Sequence, residues 1–425
     1  MNKISLIILA SVFLSWAGQS ADQSDENKIK LIGSAWYQGG HVMNGTYAYE
    51  NDIQKYWLQK VFTNIGIFKK ANDWLSFTAS VEMVFHSSFK MGSTFPESEL
   101  FIPKAYIDQA RGDIQFVNTQ KLNLRLTTGY FHFKYNEDVT NLGNTLFKSY
   151  CYPTTIMPSV FDFPLSRLTG LDLYFAALDR KIFADVLFTT HLDMYPIGDF
   201  SLTTIAGTEP FRGITLKAGV QFDRLMPVNK GITKPAEASK ENLKTGEVTN
   251  FTYAGTKLMA CLNLDVKRII FGDDYPALFG EEDLKLYAEG NLLGVKNYYY
   301  FYDTLKHRVT GAFGIKLPTF KLLDILAVEF EYFGSRYPNS FDRLLNANNP
   351  FPDIQEASYL PEDWMDDDWK WSVYAKKDIS DISLIVQFAS DHLQLWSTRP
   401  VDQVFRDNLI KPSDWYYQFK IQYRF

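Results

Sequence analysis

The chain has 425 residues, 22% of them charged, and a net charge of −6 with no basic block, so a nucleic-acid surface is excluded. Its two cysteines, Cys151 and Cys261, exclude a disulfide scaffold and a four-cysteine zinc site. Aromatic residues make up 16%, with 25 Tyr and 34 Phe, a share that suits many rings at a lipid face and its two interfaces.

The chain opens with Asn2-Lys3, an apolar run from Ile4 to Trp16, and the small-x-small sequence Ser15-Trp16-Ala17. This predicts a secretory signal peptide over residues 1–17, with cleavage as late as residue 21. The run falls short of the roughly 20 apolar residues that a helical span needs, and no later segment reaches that length. Residues 18–30 read as a short polar tail.

From there the pattern is period two. Candidate strands are Leu31 to Tyr37, Trp57 to Phe68, Leu75 to Phe85, Lys104 to Ala110 and Leu122 to Tyr130. In the third, Leu75, Phe77, Ala79, Val81, Met83 and Phe85 alternate with a mostly polar set, the signature of a strand with one apolar face. A long irregular stretch, residues 134–166, precedes strands at Gly170 to Phe175 and Ile182 to Thr189. Later strands are Ile214 to Asp223, Lys257 to Asp265, Asp283 to Asn291, Arg308 to Leu317, Leu326 to Phe333, Trp369 to Lys376 and Ile382 to Asp391.

Short and long connections alternate along this series, except that the polar stretch from Met226 to Asn250 falls on the short side. A further strand at Asp199 to Ala206 restores the alternation and brings the total to sixteen, with fourteen and eighteen as neighbouring counts. Many runs extend about 9–13 residues, longer than the 5–6 typical of globular strands and suited to tilted membrane strands of about 9–11. With no Gly/Ser or Pro linker to divide it, the chain over residues 31–425 reads as one all-β transmembrane antiparallel barrel.

The last strand places Trp415, Tyr417, Phe419, Ile421, Tyr423 and Phe425 on one face, and Tyr416, Gln418, Lys420, Gln422 and Arg424 on the other. It resembles the terminal strand of Gram-negative outer-membrane β-barrels, which ends in Phe and is read by the barrel assembly machinery; the chain as a whole resembles general porins. The resemblance implies a bacterial outer-membrane location in contact with lipid and lipopolysaccharide, periplasmic termini, no cofactor, and the homotrimer common among sixteen-stranded porins. Lys104 to Asp108 and Leu126 to Phe133 resemble the opening hairpin of phosphate-selective porins. The arginine ladders of that group are absent, so phosphate is not carried over.

The pore-lining candidates are Arg125, Lys217, Lys257, Lys285, Glu289, Arg308, Lys316, Glu329 and Glu331. A polar interior with both signs of charge is what a water-filled channel requires, and it points to weakly selective passive diffusion of small hydrophilic solutes. A purely structural or adhesive barrel, its lumen plugged by paired charges, is the alternative. The third long connection, residues 134–166, is expected to fold into the barrel and narrow it, as in general porins. It carries Glu137, Asp138, Lys148 and Asp162, with Arg125 and Arg308 as wall cations opposite. Cys151 and Cys261 either bond, stapling this segment to the wall, or remain buried thiols.

No HExxH, G-x-S-x-G, phosphate-binding glycine loop or CxxC occurs among the residues. The chain is therefore not expected to be an enzyme, although His132 and His392 sit where an outer-membrane hydrolase would place its site. The acidic run Glu362 to Asp368 lacks the alternating spacing of a calcium loop and reads as a solvated outer connection.

Overall fold

The computed structural model describes residues 28–44, 56–90, 99–100, 104–147, 165–190, 198–233, 239–241, 248–250, 254–295, 305–333, 369–391 and 412–425. The signal segment, the acidic run, Cys151 and His392 lie outside them. Among the described residues sixteen long strands, with a two-residue strand Glu99–Leu100 paired beside Leu75–Lys90, form one closed antiparallel sheet. They are β1 (Lys30–Asn44), β2 (Tyr56–Asn72), β3 (Leu75–Lys90), β4 (Lys104–Asn118), β5 (Leu122–Phe133), β6 (Ser166–Ala177), β7 (Ile182–Thr190) and β8 (Phe200–Phe211). The second half comprises β9 (Ile214–Met226), β10 (Gly255–Asp265), β11 (Lys285–Leu292), β12 (Val309–Lys316), β13 (Ile325–Phe333), β14 (Trp369–Ile379), β15 (Ile382–Ser390) and β16 (Trp415–Arg424). Each strand pairs with its neighbours in sequence. β16 returns to β1 in a register running from Ser34↔Arg424 to Asn44↔Trp415. Two further bonds lock the seam: Gly33 N donates to Phe425 O at 2.9 Å and Phe425 N to Gly33 O at 3.0 Å. Closure joins the first strand to the last, so the sheet has no open end, which is the condition for a β-structure to stand in hydrocarbon.

The strand that restored the alternation of connections is present as β8. Every connection that follows an even-numbered strand is short, except for residues 266–284, which include the single-turn helix Val266–Phe271 capped by the Asp265 carboxylate. Odd-numbered strands end at the opposite side of the barrel. Both termini of the barrel lie at the short-connection end.

The two faces of the wall differ as the alternation requires. Phe77, Val81, Leu171, Leu173, Phe175, Leu216, Leu262, Phe313, Phe330, Leu384, Phe388 and Ile421 are exposed on the outside. A buried side chain of this kind contributes about 1.5–3 kcal/mol relative to water, so such an outer face is favourable only against lipid. On the inside, the same strands bury charge: Lys60, Glu82, Asp172, Lys257, Glu289, Lys316, Glu329, Glu331 and Lys370.

The barrel is not a uniform tube. β4 and β5 pair from Asn118↔Asn123 up to Ala110↔Tyr130, where the ladder stops although both strands continue. On the other side, β6 is paired with β7 no further than Thr169↔Thr190. Gly129 and Gly170 face each other at this point, with φ of 110° and 146°. A Cβ would stand 2.2 Å from Ala110 O at the first and 2.2 Å from Phe188 O at the second, so the bend needs glycine at both. Beyond Tyr130 and Thr169, residues 131–133 and 166–168 form a ribbon that pairs only with itself among the described residues.

Candidate functional site

The ribbon and residues 134–147, which follow its first strand, occupy the lumen. One face of the ribbon carries Phe131, Phe133 and Leu168, which join Leu146 and Phe147 of the connection in an apolar cluster with Leu187, Ile205, Met259 and Cys261 of the wall. The other face carries Arg167 and His132. Arg167 Nη2 lies 2.8 Å from Glu82 Oε2 and 3.1 Å from Asp108 Oδ1, and His132 Nε2 lies 2.9 Å from Asp108 Oδ1. Asp108 also accepts from Asn64 Nδ2 and Ser80 Oγ, each at 2.7 Å. One face thus rests on β3–β4 and the other on β7–β10, so the ribbon stands inside the barrel.

Residues 134–147 continue from the ribbon to the far wall, where carboxylates hold their backbone. Glu329 accepts from the N–H groups of Thr140 (2.5 Å), Asn141 (2.7 Å) and Leu142 (3.1 Å). Glu331 accepts from Gly143 N at 2.8 Å. Glu289 accepts from Thr145 N, Tyr135 Oη and Asn136 Nδ2 at 3.1, 2.8 and 3.1 Å. Asn141 Nδ2 reaches Asp391 Oδ2 at 2.8 Å. Hydrogen bonds to a charged acceptor are stronger than neutral ones, and each contributes about 1.5–3 kcal/mol. An irregular segment without a sheet partner thereby has its donors satisfied.

The wall is shaped for this contact. The register aligns Glu289 with Ala312 and Ala312 with Glu331, so a small residue separates the two carboxylates across three strands. One level along, Tyr287 pairs with Gly314 and Gly314 with Glu329. A Cβ on Gly314 would come within 2.4 Å of the Tyr287 ring, so the glycine lets the ring lie across it and its hydroxyl donate to Glu329.

Beneath the segment is a mixed-charge group. Asp138 Oδ1 lies 3.3 Å from Lys285 Nζ and 3.9 Å from Lys316 Nζ, and its other oxygen accepts from Asn263 at 2.7 Å. Glu282, in the connection 266–284, pairs with Lys285 at 2.7 Å and with Lys316. Burial alone would raise the Glu282 pKa; the two ammoniums outweigh it and bring the carboxyl down to about 2. Burial, reinforced by Glu289, pushes the Tyr135 hydroxyl well above its ordinary range, so it stays a donor. Burial pushes Lys134 down, against the pull of Glu137; its ammonium donates to the carbonyls of Glu137 and Val139 at 3.0 and 2.6 Å.

The predicted residues fall into two groups. Arg125 is exposed on the lumen side, its guanidinium 5.3 Å above the Tyr174 ring. Glu137 is also exposed, and Lys217, Lys285 and Asp138 are half-buried. Lys217 donates to Tyr135 O at 2.5 Å. Glu289, Glu329, Glu331, Lys257, Arg308 and Lys316, read as lining a wet pore, are instead buried. The carboxylates are turned onto residues 134–147. Lys257 is 3.4 Å from Asp223, and Arg308 donates to Gly294 O at 2.5 Å. The cations opposite Asp138 are Lys285 and Lys316, where Arg125 and Arg308 had been expected. Lys148 and Asp162 lie outside the described residues. Cys261 is a free, buried thiol, 3.1 Å from Asn263 Oδ1. In the last strand Tyr416 and Gln418 are buried inward while Ile421 is exposed outward, the alternation set by Trp415, Tyr417, Phe419, Tyr423 and Phe425.

Sequence reading missed the apolar filling of the lumen. Its signal was present: Phe131 and Phe133 continue the inward set Asn123, Arg125 and Thr127, two phenylalanines where water was expected.

The class is set by the pairing: a closed antiparallel barrel of sixteen long strands, with an apolar exterior and a partly filled, charged interior. No protein-family model matches the chain, and no curated protein does. Among solved structures it is similar to a mutant of the porin from Rhodopseudomonas blastica, at 8% identity and a TM-score of 0.43 over 94% of this chain and 100% of that one. It is also similar to Salmonella typhi OmpF in a complex with daunomycin, at 10% identity and a TM-score of 0.49 over 95% and 99% of the two chains.

Proposed function

We propose that this protein is a channel of the bacterial outer membrane for passive diffusion of small hydrophilic solutes, narrowed from within by residues 134–147. The observation that carries the reading is the seating of that segment across the lumen, on Glu289, Glu329 and Glu331, with charge left exposed at Glu137 on the segment and at Arg125 on the wall. The termini and short connections are periplasmic in this reading, and the long connections face outward. The exposed Glu137 of the segment and the exposed Arg125 of the wall give the opening charge of both signs and weak overall selectivity. The barrel assembly machinery reads the strand that ends in Phe425, and the partners in the membrane are lipid, lipopolysaccharide and, as a homotrimer, further copies.

A hydrolase is disfavoured by the arrangement around His132. Ser80 and His132 both contact Asp108, so the carboxylate stands in the middle. A serine nucleophile needs the imidazole there, to take the hydroxyl proton. A non-conducting structural barrel is supported by one observation, the apolar cluster inside the wall. Planar-bilayer recording with liposome swelling in graded sugars separates the two. Discrete channels with a size cutoff support the diffusion reading; folded protein that is silent at every voltage promotes the structural one.

A further inference from the structure

The connection 266–284 is long for the end at which it lies, and it is firmly built. Lys267 is buried, and its ammonium donates to Asp265 Oδ2 and to the carbonyls of Glu281 and Asp283, at 3.0, 2.6 and 3.1 Å. The same ammonium stands 5.1 Å over the Tyr275 ring. Asp283 accepts from Gly280 N at 2.8 Å and from the backbone and hydroxyl of Thr319, in the turn between β12 and β13. On the other side, Arg268 and Arg212 share Asp273 at 3.0 and 3.3 Å, and Arg212 belongs to the turn between β8 and β9. The connection is thereby fixed to the turns that flank it.

So fixed, it leaves apolar groups uncovered. Ile269, Ile270, Phe271 and Leu278 of the connection, with Phe320 and Leu322 of the turn between β12 and β13, are 43% to 78% exposed. Phe279 links the two, its ring 5.9 Å from those of Phe271 and Phe320. Apolar surface gathered in this way is unfavourable in water and marks an interaction site. The neighbouring wall indicates what covers it. At this end of β9, β10, β11 and β12 the outer faces present Leu216, Leu262, Leu286 and Ile315. The lipid-facing surface therefore continues from the wall onto the connection, beside which stand the exposed Arg212 and the half-buried Arg268.

We propose that residues 266–284 are a membrane foot, lying in the interfacial layer of the phospholipid leaflet at the end that holds both termini of the barrel. Ile269, Ile270, Phe271 and Leu278 enter among the first acyl methylenes, and Arg212 and Arg268 stand at the level of the phosphates, the division of depth that apolar and long cationic side chains adopt at an interface. The foot rests on the barrel's spanning a bilayer and not on conduction.

Depth-resolved quenching tests it. In a Cys151→Ser background, Ile270→Cys, Leu278→Cys and, on the wall, Leu262→Cys are labelled with a thiol-reactive bimane; the background alone, whose Cys261 is buried, is the blank. Each folded protein is placed in phosphatidylcholine vesicles brominated near the headgroup or deep in the chain, with iodide as the aqueous quencher. Both foot labels are expected to lose emission mainly to the shallow bromines, while the Leu262 label confirms that bromines reach the wall. Foot labels quenched by iodide and by neither lipid, in vesicles where the Leu262 label is quenched, overturn the proposal and leave the connection in water. Labels shielded from iodide and bromines alike overturn it as well, in favour of a second copy or another protein on the patch. Ile270 and Leu278 are each more than half exposed, so either variant decides if the other fails to fold.

Discussion

Two segments enter the same lumen and are held in opposite ways. Residues 134–147 have no sheet partner, yet the wall carboxylates Glu289, Glu329 and Glu331 accept from their backbone donors. The ribbon beside them keeps its own ladder and is held through Arg167 on Glu82 and Asp108, while on the wall near Leu187 the Thr203 hydroxyl and the Gln221 amide have no hydrogen-bond partner among the described residues. Regular structure does not decide which is the firmer. Satisfaction of buried polar groups does, because an unmade hydrogen bond in a low-dielectric interior weighs more than a made one contributes.

The comparison breaks most completely at Glu329. Glu329→Gln keeps the shape but replaces one charged oxygen with an amide that confronts backbone N–H donors. A loss of about 3 kcal/mol is expected, seen as a lower midpoint in chaotrope unfolding of the detergent-solubilised barrel. A midpoint unchanged from the parent would remove the clamp from the account. Gly314→Ala should act through the same carboxylate at one remove. The added methyl meets the Tyr287 ring, displaces its hydroxyl from Glu329, and destabilises by about 1–3 kcal/mol. Tyr287→Phe leaves the ring in place and should lose about 1 kcal/mol, so the two variants separate the steric part from the hydrogen bond.

A smaller effect is expected from pH. The Glu282 carboxyl titrates near 2 in the folded chain, below the ordinary value of about 4.3 for an unfolded glutamate. A depressed carboxyl stabilises the fold fully above the unfolded value, and that contribution fades as pH falls through the folded one. Discounted for partial exposure, it amounts to about 1–2 kcal/mol. Glu282→Gln should therefore be less stable than the parent at pH 6, with the difference closing by pH 2. A gap that persists at pH 2 would mean the pair with Lys285 and Lys316 is not its source. The least change in stability belongs to Glu137→Gln with Asp138→Asn, where the readout is electrical: reversal potentials in a salt gradient should move toward anions.

Most of the frame could be read before any coordinates, because a barrel wall is the most periodic object a chain can make. β8 shows the reach of that logic: its own alternation is modest, and the sidedness of Met226 to Asn250 required it. The interior was less legible. Glu289, Glu329 and Glu331 occupy inward positions whether they meet water or backbone, and period two cannot tell these apart. Arg167 finds Glu82 across a fold that brings β6 against β3, and no local spacing encodes that meeting. The bend at Gly129 and Gly170 looked like ordinary glycine in a strand. Its meaning lies in the pairing it interrupts.

The central claim is that residues 134–147, seated on wall carboxylates, set the width of a diffusion channel. Single-channel recording in planar bilayers tests it most directly, comparing the parent with a Glu329→Gln, Glu331→Gln double variant in the same salt. The account predicts discrete channels from the parent and a clearly larger unit conductance once the segment is released. Equal conductance from two folded proteins would place the constriction elsewhere and contradict the claim.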